Sequence, residues 1–256
     1  MKLAAYQFGV TGDVKQNMGM IRKAVELAAE QNAELIVFPE CAVSGYPSRN
    51  IDMAKNIDHA AVGKALQELR ELSDKLGISV LVGTAFLDNK YYNRAYLYTP
   101  GQSPMWYGKR ALYGWDEENF APENETGVFK IGELTIGVRI CFEVRFPEYF
   151  RELYKAHTDL NIVLFYDVTD TDDTERYNLI RSHLLTRAVE NITPFLSVNT
   201  IAPFQTAPTC FINASGKVLR ELERNAEGLL IFDYEKSEPN FGEKGRVLYS
   251  DILTNK

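Results

Sequence analysis

Two kinds of hydrophobic spacing alternate along this chain. Leu35-Ile36-Val37-Phe38 is a continuous apolar run, as a central strand covered on both faces requires, and residues 160–165 read as a second buried strand. Residues 18–31 instead carry Ile21, Val25 and Ala28 at helical intervals, and residues 60–76 line up Leu66, Leu69, Leu72 and Leu76 before Gly77 closes the helix. Further strands are predicted at 3–8, 78–86 and 91–98, the last two separated by the hairpin signal Asp88-Asn89-Lys90. Residues 129–140 read as two short strands joined through Gly132-Glu133, and 194–198, 210–212 and 227–234 as later ones. Helices are expected at 148–155, behind Pro147, and at 177–191. Acidic loops fill 115–125 and 167–175, and the polar stretch from Glu235, broken by Pro239 and Gly242, is expected on the surface. Strands and helices alternate with no repeat and no compositional break, so one α/β domain over 1–256 is the economical expectation.

Composition narrows the partners. A net charge of −7 without a basic cluster argues against nucleic acid and anionic membrane. Three cysteines do not suggest a disulfide framework and fit a reducing compartment. Met1-Lys2-Leu3 runs straight into a strand, and no apolar stretch is long enough to span a bilayer, so a cytoplasmic protein is expected.

The candidate chemistry sits at strand ends. The strand before Cys141 delivers a thiol to an elbow, after which Phe142-Glu143-Val144-Arg145-Phe146 leads into Pro147 and a helix. A thiol so placed can be exposed near backbone N–H groups that favour thiolate and oxyanion alike; taken alone, a buried cysteine acting as a small hydrophobe is the plainer reading. Glu40 follows a fully apolar strand, where desolvation would raise its pKa towards that of a general base, although a solvated rim carboxylate is an equal reading of that residue alone. Lys109 lies in an aromatic surround and could carry an oxyanion; a solvated surface lysine is the commoner case. Glu117 and Glu118 belong to an acidic loop whose plain role is solubility. The three histidines (His59, His157 and His183) are scattered, without zinc-like spacing.

In combination these residues closely resemble the nitrilase superfamily of carbon–nitrogen hydrolases. The resemblance rests on Phe38-Pro39-Glu40, Tyr107-Gly108-Lys109-Arg110 and Ile140-Cys141-Phe142-Glu143. It begins at Ala5-Tyr6-Gln7 and extends through Arg145-Phe146-Pro147-Glu148, Arg187-Ala188-Val189-Glu190-Asn191 and the hairpin Asn213-Ala214-Ser215-Gly216. It implies a four-layer α-β-β-α sandwich, usually in homodimers or larger assemblies. It implies Cys141 as nucleophile, Glu40 as general base, and Lys109 with the Phe142 backbone N–H as oxyanion holders. A second glutamate is implied in the loop after the lysine, with Glu117 the better fit by its distance from Lys109 and Glu118 the alternative. No metal or cofactor is required.

The implied activity is that of an amidase releasing carboxylate and ammonia from a small-molecule carboxamide through a thioester. An N-carbamoyl-amine hydrolase is the runner-up, ahead of a nitrilase and of a non-catalytic binding protein on the same fold. The chain departs from the family pattern at Phe165-Tyr166-Asp167-Val168-Thr169-Asp170, after Asn199, and at Pro208-Thr209-Cys210, all regions that shape an acyl pocket. In the first of these, Asp167 or Asp170 could meet a cationic substrate end; a solvated loop is the plainer reading.

Overall fold

The computed structural model describes residues 1–254. The strands are β1 (Lys2–Gln7), β2 (Leu35–Val37), β3 (Ser79–Leu87), β4 (Tyr91–Tyr98), β5 (Met105–Gly108), β6 (Val128–Ile131) and β7 (Leu134–Ile140). They continue with β8 (Leu160–Phe165), β9 (Val168–Thr169), β10 (Phe195–Asn199), β11 (Phe204–Gln205), β12 (Cys210–Ile212), β13 (Val218–Glu221) and β14 (Gly228–Asp233). The helices are α1 (Val14–Glu30), α2 (His59–Leu76), α3 (Trp115–Asn119), α4 (Pro147–Lys155), α5 (Thr174–Asn191) and α6 (Phe241–Thr254).

Two six-stranded sheets form, in the orders β14-β1-β2-β3-β4-β5 and β13-β12-β10-β8-β7-β6. Period-two alternation decides which side chain goes where. Leu3, Ala5, Leu35, Val37 and Leu81 point into the space between the sheets, against Ile136, Val138, Ile162, Leu164 and Leu196 of the second sheet. Their neighbours Ala4, Tyr6, Ile36, Val80 and Val82 point the other way, onto Ile21, Val25, Leu66 and Leu69 of α1 and α2. On the far side Val163, Phe165 and Phe195 meet Phe150 and Leu153 of α4 and Ile180 and Leu184 of α5. Helix, sheet, sheet, helix: the chain is the four-layer sandwich expected.

Capping explains where boundaries differ from the periodicity. Asp13 accepts from the Lys15 and Gln16 amides, and Asp173 from the Arg176 amide, so α1 and α5 begin several residues before their first regular apolar positions. The acidic loop at 115 contains the short helix α3, and the C-terminal stretch is not irregular but forms α6. Asn240 and Glu243 exchange side-chain-to-backbone hydrogen bonds at the start of α6, a capping box that outweighs Pro239 and Gly242. No helix among the described residues is long and apolar enough to cross a membrane.

Candidate active site

Four strands end at one place. β2 runs through Phe38 and Pro39 to Glu40, β5 hands over to Lys109, β7 ends in Cys141, and β8 leads into Tyr166 and Asp167. The carboxyl ends of parallel strands in layered α/β folds commonly open on such crevices. Lys109, Asp116, Cys141, Phe142, Tyr166 and Asp167 line a cavity of about 180 Å³ there.

Glu40 has no solvent exposure. Its Oε1 accepts from Lys109 Nζ at 2.8 Å and from Asn93 Nδ2 at 2.7 Å, and its Oε2 from the Tyr166 amide at 2.7 Å. The Glu40 amide in turn donates to the Phe165 carbonyl at 3.2 Å, so this carboxylate is tied to both sheets. Burial pushes the Glu40 carboxyl above the usual carboxylate range, against the pull of Lys109 and Asn93. The backbone here passes close to β3: a Cβ on Gly83 would lie 2.5 Å from the Pro39 carbonyl oxygen and 2.6 Å from the Glu40 Cα.

Lys109 is equally buried, held between Glu40 and Asp116 Oδ2, the latter at 2.5 Å. Burial disfavours its charge, but Asp116 and Glu40 together outweigh burial and hold its pKa well above the ordinary value. Asp116 Oδ1 accepts from Tyr46 Oη at 2.8 Å, and the Tyr46 ring stacks on Tyr166 at 4.8 Å. An ammonium has three N–H donors, and among the described residues only two of those of Lys109 find acceptors.

Cys141 occupies the left-handed region, φ +47°, at the first residue of a 3-10 turn spanning Cys141–Arg145. This sharp elbow turns the chain from β7 towards α4. Desolvation, seconded by the Glu40 charge, pushes the Cys141 thiol well above its usual pKa, so the resting group is a thiol rather than the thiolate that the elbow suggested. Phe142 follows as the second residue of the turn, where backbone N–H groups have no acceptor within the helix. Glu143 stabilises the elbow from beneath: its Oε2 accepts from the Ile140 amide at 2.7 Å, and its Oε1 from Tyr107 Oη at 2.7 Å and the Arg110 amide at 2.8 Å.

Glu40, Lys109, Cys141, Phe142 and Asp167 are therefore brought together, and Glu117 and Glu118 are not. Both of these side chains are exposed, and the loop carboxylate that reaches Lys109 is Asp116, one residue earlier. Successive helical residues point about 100° apart, so in α3 only one of three consecutive acids can face inward. Asp167 lines the cavity, but its Oδ1 already accepts from Arg176 at 2.7 Å and from Thr206 Oγ1 at 2.8 Å. Asp170 is exposed and pairs with Arg49 at 3.2 Å. A cationic substrate end would have to displace an arginine from either one. Asn93, Asp116 and Tyr46 were not among the site residues expected from the sequence. The signal for Asn93 was its parity: it points the same way as the buried Ala95 and Leu97, an amide where the strand pattern calls for an apolar side chain. Among the described residues no group of three or more His, Cys, Asp or Glu could hold a metal ion.

Comparison with known proteins shows the family and the fold. The family model described as carbon-nitrogen hydrolase matches residues 2–238. A glutamine-dependent NAD(+) synthetase of Thermotoga maritima is 32% identical over 140 residues, 53% of this chain but only 24% of the synthetase's length. A probable nitrilase of Schizosaccharomyces pombe is 24% identical over 89% of this chain and 86% of its own. Among solved structures, a variant of the amidase from Nesterenkonia sp. AN1 in complex with butyramide superposes with a TM-score of 0.83. At 22% identity, covering 100% of this chain and 96% of that one, the likeness establishes the fold.

Proposed function

Because the chain belongs to the carbon-nitrogen hydrolase family, enzymes that cleave carbon–nitrogen bonds other than peptide bonds, we propose that it is an amidase acting on a small carboxamide through Cys141, Glu40 and Lys109. The observation that carries this reading is the unused third donor of Lys109 on a cavity wall shared with Cys141. A cation with a spare N–H beside a nucleophile is suited to an oxygen that becomes negative only during reaction.

In the acylation step the Cys141 thiol gives its proton to Glu40 as sulfur attacks the amide carbon. The carbonyl π electrons move to oxygen, where Lys109 Nζ and the Phe142 N–H hold the charge. Burial lifts the Glu40 carboxyl towards a useful base, and the Asp116 and Glu40 charges keep Lys109 protonated. The tetrahedral intermediate collapses, the C–N bond breaks, and the departing nitrogen takes the proton from Glu40 to leave as ammonia. Water then gives a proton to Glu40 and attacks the thioester; the C–S bond breaks, the proton returns to sulfur, and the carboxylic acid departs. Asp116 offsets the Lys109 charge and anchors it, so that the ammonium is held in place without solvent.

The cavity also favours one kind of acyl chain. Arg49 and Arg176 are paired with Asp170 and Asp167, whereas Arg145 makes no ion pair among the described residues and lies 5.9 Å from the Phe142 ring centroid. The surplus charge of the walls is thus positive, which suits a neutral acyl chain or one ending in a carboxylate better than one ending in an amine. An N-carbamoyl amine remains the second substrate type, since the same attack on a urea carbon releases ammonia.

A panel of dicarboxylate monoamides, neutral amides, amino amides, carbamoyl amines and nitriles, read by ammonia release, tests the proposal. Turnover of monoamides and neutral amides is expected, with amino amides poorest. Iodoacetamide should label Cys141 selectively, as intact-mass spectrometry would show, and Cys141→Ala should lose both label and turnover. Ammonia release by Cys141→Ala at the parental rate would overturn the mechanism, and an unlabelled, inactive parent would leave a binding protein on this fold.

A further inference from the structure

We propose that Asn93 is the positioning residue of this site, setting the base and the lysine from a single point on β4. The inference rests on the reading of Glu40 as the base. Asn93 itself is buried and does not line the cavity, so it cannot act by touching substrate. Its side chain and its main chain do separate things. Nδ2 donates to Glu40 Oε1 at 2.7 Å, while the Asn93 carbonyl accepts from the Lys109 amide at 2.9 Å. The register of β4 with β5 places Arg94 opposite Gly108, so this second bond lies where the ladder ends and Lys109 begins to leave the sheet. One residue therefore spans the separation between the two charged groups whose bond, 2.8 Å from Glu40 Oε1 to Lys109 Nζ, defines the site.

The orientation of the amide is determined by what surrounds it. Its Oδ1 faces Cys41 Sγ at 3.9 Å, a weak thiol donor, and its Nδ2 faces a carboxylate that can only accept. The flipped amide would set oxygen against oxygen. Glu40 is left with two acceptor directions on Oε1 filled by Asn93 and Lys109, and one on Oε2 filled by the Tyr166 amide. Its remaining lone-pair direction is the one available for the thiol proton. Without Asn93 the carboxylate could rotate towards Lys109 and satisfy that ammonium with both oxygens, which would withdraw it from Cys141.

The charged and titratable groups around Glu40 are Lys109 from the end of β5, Asp116 from α3, and Cys41 and Tyr46 from the segment after β2. Tyr166 from the segment after β8 and Cys141 from the end of β7 complete them. Of these, Lys109 favours the ionised base, and Asp116 disfavours it. Asn93 is the neutral donor that adds to the lysine's effect, so its removal shifts Glu40 further towards the protonated form.

The test compares the parent with Asn93→Leu, which fills the volume without a donor, and with Asn93→Ser, a smaller change that also withdraws the reaching amide. The expected result is a fall in kcat of about tenfold or more with KM within about twofold of the parent, and an acid limb of the kcat/KM profile moved up by about one pH unit, the size of one hydrogen bond to a charged group. The same limb is read without substrate, from the pH dependence of Cys141 alkylation by iodoacetamide. A parental acid limb in both measurements, in whichever variant folds, would overturn the proposal and reduce Asn93 to a packing residue. If no amide is turned over but the alkylation limb still moves, the amidase reading fails and the positioning role stands.

Discussion

Two glutamates in this molecule have no solvent exposure at all, and they do opposite things with the same carboxylate. Glu40 accepts from an ammonium, an amide side chain and one backbone N–H, and it lies directly behind Lys109 and Tyr166 of the cavity wall. Glu143 accepts from a phenol and from backbone amides on two segments, and it lies under the elbow that carries Cys141. Glu143 is bonded to groups that do not move when chemistry occurs, so it joins the Lys109 segment to the Cys141 segment. Glu40 is bonded to a cation, and burial raises its affinity for a proton. Burial alone does not identify a catalytic acid or base; the nature of the donors around it does.

Substitution separates the two roles. Glu40→Gln should produce the largest loss, roughly 10³-fold or more in turnover, since a base and then an acid are removed together. Its far-UV spectrum should match the parent, and near-parental steady-state rates would place the base elsewhere. In the parent, a carboxyl raised by burial must be ionised to act, so kcat/KM should fall as the pH drops through a limb lying above the ordinary carboxylate range of about 4. A limb at or below that range would break the contrast drawn here. Glu143→Gln keeps the shape but turns one end into a donor facing donors. It should cost about 1–3 kcal/mol in thermal or denaturant unfolding, with a smaller, indirect loss of rate. A Glu143→Gln protein of parental stability would remove the architectural half of the comparison.

The carboxylates of α3 give the finest test. Asp116→Asn should lower turnover by about 10–100-fold, because Lys109 loses one of the two charges that hold it ionised and in place. Glu117→Gln and Glu118→Gln should leave rates close to the parent's. A severe Glu117 variant beside a mild Asp116 variant would mean that the loop closes differently over bound substrate.

Much of this was legible in the sequence, for reasons that can be named. The run Leu35-Ile36-Val37-Phe38 could only be a central strand, so the charged residue after Pro39 had to lie at a strand end. The elbow at Cys141 was marked by the change from β-branched residues to Pro147 and a helix. The choice among Asp116, Glu117 and Glu118 was not legible, because a count of residues from Lys109 carries no information about which way a short helix is rotated. Nor were the partners of the acidic loop: Arg49 lies 121 positions from Asp170, and only the folded chain brings them together. Asn93 was hidden for a different reason. A single amide among tyrosines reads as part of an ordinary strand until its buried neighbours are known.

Gly83 has a consequence for how this pocket can change. It belongs to β3, carries no functional group and touches no ligand wall, yet any side chain there would have to occupy the space of the Pro39 and Glu40 backbone. The obstacle is the main chain of the Pro39–Cys41 segment, which cannot step aside as a flexible side chain would. A substitution at Gly83 would leave every reactive atom present and the sandwich assembled, while moving the carboxylate out of register with the thiol. Mutational scanning for activity should therefore find an intolerant position here that scanning for expression does not. Attempts to widen the cavity have freedom among Tyr113, Trp115 and Arg145 of its wall, and none behind Glu40.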